Sequence, residues 1–210
     1  MAFLHGVEVI EIDAGPRPIQ TVKSSVIGIV GTAPDADPDA FPLNTPVLVA
    51  GSRKEAADLD TVGTALGTLP AAMDGIFDQI GAVVIVVRVE EGATEAESLA
   101  NVIGGVNAVD GNFEGVHALV GAESVVGFSP RILIAPGFTH QRPEGNANPV
   151  VAELQGIGDR LRAVIIADGP NTNDADAITA AGDFGSDRIY LIDPWHKVMV
   201  GSDIVSVPAS

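Results

Sequence analysis

Apolar runs separated by turn-forming residues predict an alternation of strands and helices along the chain. Segments rich in Val, Ile and Leu with the length of a strand lie at residues 25–30, 46–50, 82–89, 131–135, 163–167 and 188–192. The run at 82–89 is nearly continuous, which is typical of a strand that is buried on both faces. Residues 197–200 and 203–210 show further strand-like patterns.

Helix signals lie between these strands. Thr68 precedes apolar residues at helical spacing, residues 94–97 form a capping box, and Asn148 begins an apolar stripe that has proline in its first turn. Further helices are predicted at residues 52–59, 114–119 and 173–181. Strands and helices that alternate in this way predict an α/β fold, with a mostly parallel sheet and helices on both faces.

The opening segment has β-strand character and is separated from the rest of the chain by a stiff hinge. Its residues are Leu4, Val7, Glu8, Val9, Ile10, Glu11 and Ile12. The alternation of apolar and polar residues shifts by one position after Val9. A β-bulge, or a strand that is covered on both faces, allows such a shift. Gly15, Pro16 and Pro18 follow and cannot continue a ladder. We therefore divide the chain into an N-terminal β-arm with its hinge, residues 1–19, and a body, residues 20–210.

Two interpretations of this arm are open. It is either an edge strand of the chain's own sheet, or an extended segment that is donated to a neighbouring molecule and held by backbone hydrogen bonds. The hinge at residues 15–18 slightly favours donation, because a tether lets the strand stay bound while the body moves.

Composition excludes several classes of function. The chain has 28 acidic and 11 basic residues, a net charge of -17, and only 4% aromatic residues. Direct binding of nucleic acid is not expected, because such binders present a basic surface. The longest apolar stretch, residues 80–87, is too short to span a bilayer, so no membrane insertion is expected. With 0 cysteines, disulfides and thiolate chemistry are excluded.

Residues 28–33 form the strongest candidate for a phosphate-binding turn. The sequence GIVGTA follows the first core strand, where a glycine-rich turn can bring backbone N–H groups to a phosphate. The third glycine of such a motif is missing, and the aspartates that follow would repel a phosphate. A plain structural turn is favoured, and a nucleotide- or metal-dependent α/β enzyme using this turn is the alternative hypothesis.

Acidic residues and histidines give no convincing metal site. Asp35, Asp37 and Asp39 are spaced like the start of a calcium loop, but Ala40 and Pro46 stand where that loop needs glycine and glutamate. A second polar cluster is explained by turns and helix caps; its members are Asp168, Asn171, Asn173, Asp174 and Asp176. The histidines lie in different predicted elements; they are His5, His117, His140 and His196. We assign no catalytic, cofactor-binding or metal-binding residue.

A family resemblance extends over residues 3–195. It is carried by the stretches FLHGVEVIEIDAGPRPI, VIGIVGTAP, FPLNTPVLVAGSR, GTLPAAMDGIFDQIGAVVIVVRV, RILIAPGFTHQ, AVIIADGPNTN and RIYLIDPW. Each stretch alone is a strand plus a turn, but their combination and order are specific. In these stretches the chain resembles the contractile tail sheath proteins of P2-like phages and of the related R-type tailocins.

This resemblance implies a structural virion protein with no enzymatic activity and no cofactor. Sheath subunits stack as rings into a helical tube around an inner tail tube, and contraction drives that tube through the bacterial envelope during genome ejection. By the resemblance, residues 4–12 join a small sheet with the terminal arms of neighbouring subunits, and residues 15–18 are the hinge. The implied partners are other sheath subunits and the inner tube, in a virion tail or tailocin particle that is assembled in the bacterial cytoplasm.

The resemblance also implies that the body is incomplete. Sheath proteins of this family continue roughly as far again beyond the position of Ser210, and that region carries the C-terminal arm and most contacts to the inner tube. We therefore expect a truncated or naturally fragmentary subunit, which offers an N-terminal strand but lacks the partner arm that would receive one.

Overall fold

A six-stranded sheet forms the centre of the body. A computed structural model describes residues 25–51, 53–200 and 203–208. Its strands are β1 (Ile27–Thr32), β2 (Pro46–Ala50), β3 (Val83–Val89), β4 (Gly105–Val106), β5 (Phe113–Glu114), β6 (Ile132–Ile134), β7 (Val164–Asp168), β8 (Ile189–Ile192), β9 (His196–Val200) and β10 (Asp203–Val207). The main sheet has the order β2-β3-β1-β6-β7-β8. Only β2 runs antiparallel to its neighbour, so the predicted mostly parallel sheet is confirmed.

Helices and two small hairpins complete the body. The α-helices are α1 (Arg53–Ala56), α2 (Leu69–Gln79), α3 (Glu95–Ile103), α4 (Ala122–Val126), α5 (Pro149–Leu161) and α6 (Asp174–Gly182). Turns of 3-10 helix lie at Ala57–Leu59, Gly115–Gly121 and Pro143–Gly145. Strands β4 and β5 form one antiparallel pair, and β9 and β10 form another. In the described part of the chain no helix combines the length and apolar character that a membrane span needs.

Both faces of the central strands are buried. Along β3, Val84 and Val86 pack with Leu69 and Met73 of α2 in one hydrophobic cluster. The alternate positions of the strand belong to a second cluster, which includes Leu154 of α5. A side chain of this size contributes about 1.5–3 kcal/mol when it is fully buried. This two-sided burial explains the uninterrupted apolar sequence of β3, and it confirms helices on both faces of the sheet.

The helix caps predicted at Thr94 and Asn148 are present, whereas Thr68, predicted as the cap of α2, makes no side-chain capping bond and accepts the Thr32 amide instead. Thr94 Oγ1 accepts the Glu97 amide at 3.2 Å at the start of α3. Asn148 Oδ1 accepts an amide of α5 at 2.9 Å, and its Nδ2 donates to the carbonyls of Phe138 and Gln141, both at 2.9 Å. Asn148 is buried, so it fixes the loop between β6 and α5 as well as the start of the helix.

Three predicted elements differ from the structure. The first core strand does not end at Val30 but continues to Thr32, because β3 pairs with it over its whole length. The helix predicted at 52–59 is a single turn of α-helix followed by 3-10 helix. The helix predicted at 114–119 is the 3-10 segment Gly115–Gly121, whose glycine ends do not favour a regular α-helix.

Candidate assembly surfaces

The predicted strand-exchange arm lies outside the described residues. This concerns Leu4, Val7, Glu8, Val9, Ile10, Glu11 and Ile12 and the hinge residues Gly15, Pro16 and Pro18, which all precede residue 25. Donation of this strand to a neighbouring molecule therefore stays a prediction. The described residues instead define the body to which the arm is attached.

The candidate phosphate turn at residues 28–33 is not an open turn. Its first five residues lie in β1, and a Cβ built on Gly31 would overlap the hydroxyl of Thr68. The Thr32 amide donates to Thr68 Oγ1 at 3.2 Å, and the Thr68 amide donates to the Thr32 carbonyl at 2.9 Å. These backbone groups are occupied within the fold, so the expected turn is corrected to a strand that is closed off by Thr68.

The acidic loop after β1 is organised by its own hydrogen bonds. Asp37 Oδ1 accepts the Asp39 amide at 2.9 Å, and Asp35 accepts the hydroxyl of Thr64. Among the described residues, no group of three or more His, Asp or Glu side chains is arranged to hold a metal ion. These aspartates therefore serve loop structure in the described body.

The described histidines are in separate environments. His117 Nε2 lies 2.9 Å from a carboxylate oxygen of Glu153. The ring of His140 packs edge-on against Trp195 with a centroid distance of 4.8 Å. His196 lies in the hairpin of β9 and β10. The structure does not bring these three side chains together, so they form no composite site.

A cleft of about 580 Å³ lies at the carboxyl ends of β1, β3 and β6. Glu91 and Glu95 line it on the side of the β3–α3 loop, and His140 and Gln141 line it on the side of the β6–α5 loop. Among the described residues that line it, none is Lys or Arg. No local sequence pattern indicates this cleft, because the loops that form it are distant in the chain.

Burial is the main influence on His140. It lowers the pKa of the imidazole, while the carboxylates of Asp168 and Glu95 oppose the shift. Asp168 is buried and accepts the Thr139 hydroxyl at 2.8 Å. The folded protein therefore favours the neutral form of His140 more strongly than the unfolded chain does.

Replacing His140 by phenylalanine should make the body less sensitive to acid. A group whose pKa is lowered on folding contributes stability that is present above its unfolded pKa of 6.5 and is lost as the pH falls through the folded value. Thermal unfolding between about pH 7.5 and pH 5 tests this. The wild type should lose a few degrees more than H140F, whereas H196F, which alters an exposed histidine, should follow the wild type. Parallel curves for the wild type and H140F would refute the assignment.

The hairpin of β9 and β10 presents apolar side chains to solvent. Met199 and Ile204 are directly paired across the strands and are 75% and 71% exposed. Tyr190 on the adjacent edge strand β8 is also exposed. A two-stranded sheet has little stability by itself.

One family model matches the first part of the body. Residues 24–89 match the model described as "Tail sheath protein Gp18 domain III N-terminal region". The match includes β1, β2, α2 and β3, which form one half of the main sheet and the helix that covers it.

Similar curated proteins are tail sheath proteins. A prophage protein of Pseudomonas aeruginosa (strain UCBPP-PA14), described as a major tail sheath protein, is 37% identical over 199 residues, which is 94% of this chain and 48% of the relative. The tail sheath protein of Escherichia phage P2 is 37% identical over 77% of this chain and 39% of its own length. The major tail sheath protein of Serratia phage KSP20 is 39% identical over the same shares.

All of these relatives are described as tail sheath proteins, and all of them are longer than this chain. The chain spans about half the length, or less, of these curated relatives. Their names agree with the family model, and the resemblance inferred from the sequence is confirmed. The chain is therefore similar to tail sheath proteins over 94% of its length, and its residues 24–89 match a tail sheath family model.

Proposed function

We propose that the chain is a structural subunit of a contractile tail sheath, which polymerises around an inner tail tube and contracts to drive the tube through the bacterial envelope. One observation carries this proposal: a tail sheath protein is 37% identical over 94% of the chain. The partners are other copies of the subunit and the inner tube, and the location is the virion tail. Residues 28–33 lie mostly in β1 and are closed off by Thr68, so they give the enzyme alternative no support.

In this proposal residues 4–12 connect subunits and residues 15–18 form the hinge. An extended segment held by backbone hydrogen bonds keeps its partner while the attached body changes orientation. The alternating apolar residues and glutamates of the arm suit a strand in a small sheet. The arm, residues 1–19, and the body, residues 20–210, therefore have different mechanical roles.

The body acts in this proposal as a block that moves without changing its fold. Its sheet is covered on both faces by close-packed side chains, and such a core resists continuous deformation. Contraction then rotates and displaces bodies, and free energy is released as the contacts between them are remade. This division of labour requires no cofactor and no catalytic residue.

Immunogold labelling of tail particles tests the proposed function. Particles are purified from the bacterium that encodes the chain and labelled with antibodies raised against the body. The proposal predicts labels along the whole length of the tail, and peptides of this chain in the mass spectrum of the particles. Labels confined to the tail tip, or an absence of these peptides from purified tails, would contradict it.

A further inference from the structure

Arginines are concentrated at one end of this acidic body. Arg131 immediately precedes β6, Arg188 immediately precedes β8, and Arg160 and Arg162 lie at the C-terminal end of α5. The strand register places the amino ends of β6, β7 and β8 side by side. Two acidic residues, Asp159 and Asp187, are sequence neighbours of these four arginines, so arginine outnumbers carboxylate at this position in a chain with a net charge of -17, and we call it the arginine end.

Two of these arginines are used within the body. Arg131 donates to the carbonyl of Leu161, and Arg188 Nε lies 3.2 Å from Asp159 Oδ1. Both therefore stabilise the C-terminal end of α5, where cations are favoured. Arg160 and Arg162 are exposed, and within the described part of the chain neither side chain makes a hydrogen bond or an ion pair. Their charges are available to another molecule.

The opposite end of the same sheet carries the complementary charge. The cleft at the carboxyl ends of β1, β3 and β6 is lined by Glu91 and Glu95. Two carboxylates suit a donor with several N–H groups, such as guanidinium.

We propose that the arginine end of one copy binds the glutamate-lined cleft of the next copy, with Arg160 and Arg162 facing Glu91 and Glu95. The two surfaces lie at opposite ends of the parallel strands, so the contact is head-to-tail. A contact of this kind generates a ring or an open helical filament rather than a closed dimer. The inference rests on the proposed function in that the partner is a second copy of this chain.

Charge reversal on each surface tests the contact with the 210-residue chain. Self-association is measured by sedimentation velocity at low salt for the wild type, for R160E/R162E and for E91K/E95K. Each variant alone places like charges across the contact, and its association should weaken about tenfold. An equimolar mixture of the two variants restores opposite charges at every contact, so its association should return to near the wild-type level. R160Q/R162Q, which removes the charges without reversing them, should lose less than R160E/R162E.

K54E/K197E is the matched control for R160E/R162E, because it changes the net charge by the same amount at exposed lysines that belong to neither surface. It should associate more strongly than R160E/R162E, and thermal unfolding confirms that every variant is folded. The inference is overturned if the wild type does not self-associate, if the control loses as much as R160E/R162E, or if the mixture is no better than its components. If immunogold labels the tails along their length and one of these results is also obtained, this contact is ruled out and the proposed function still stands.

Discussion

Replacing Val9 with proline will abolish incorporation of the chain into tail sheaths without lowering the melting temperature of the body. Proline has no backbone N–H and cannot complete a strand ladder, so it removes the type of bond by which the arm is proposed to hold its neighbour. Val9 belongs to the proposed arm, and the described core of the body begins at Val26, so we expect the melting temperature of the body to stay unchanged. Electron microscopy of tails from a strain carrying V9P measures the first effect, and thermal unfolding of the purified chain measures the second.

The matched control is threonine at the same position. V9T keeps the amide and a β-branched side chain, both of which suit a strand, so sheaths should still form. Deleting residues 1–14 should reproduce the loss seen with V9P. Normal sheaths in V9P tails, or a marked fall in the melting temperature of the deleted chain, would contradict the role of the arm as a connector between subunits.

Replacing Gly67 with alanine should destabilise the body by about 3 kcal/mol or more, or about 10 °C in melting temperature. Gly67 has a φ of +84°, and a Cβ built on it would overlap the carbonyl oxygen of Thr32 and lie 2.7 Å from the carbonyl carbon. The neighbouring Thr68 exchanges two hydrogen bonds with Thr32. The methyl group would therefore push apart the contact that closes the end of β1.

A comparison with Gly63 separates the two contributions to this loss, which are the backbone strain at a positive φ and the overlap of the new methyl group with Thr32. Its φ is +81°, but a Cβ built on it has no heavy atom within 4 Å. G63A therefore costs only the backbone strain, about 1 kcal/mol. Chemical denaturation of both variants gives the comparison. Equal losses for G63A and G67A would show that the close approach to Thr32 has no energetic weight.

Much of the fold could be predicted because the local pattern of apolar and polar residues indicates which positions are buried. The apolar run of β3 and the capping residues Thr94 and Asn148 each identify an element from a few adjacent positions. The direction of β2 could not be predicted, because a strand pattern is the same in either direction. The extension of β1 through Gly31 was missed since the side chain that covers this glycine belongs to Thr68, far along the chain.

The candidate surfaces were less accessible from sequence. The arm stays a prediction, which rests on strand alternation and a proline-rich hinge because both are local patterns. The cleft joins Glu91 and Glu95 to His140 through loops that meet only at the edge of the folded sheet. Likewise, Arg131 and Arg162 come to one end of the body because β6 and β7 are parallel neighbours. Counting charged residues gives the net charge of the chain, but it does not show that the arginine end and the glutamate-lined cleft lie at opposite ends of the folded sheet.

Cryo-electron microscopy of extended tails that contain this chain shows whether the arm joins one copy to the next. We expect a repeating unit with the strand order β2-β3-β1-β6-β7-β8 around the inner tube, and density that connects residues 4–12 of each copy to a sheet in a neighbouring copy. Residues 4–12 paired instead with β2 or β8 of their own copy, with no strand passing between subunits, would contradict this expectation.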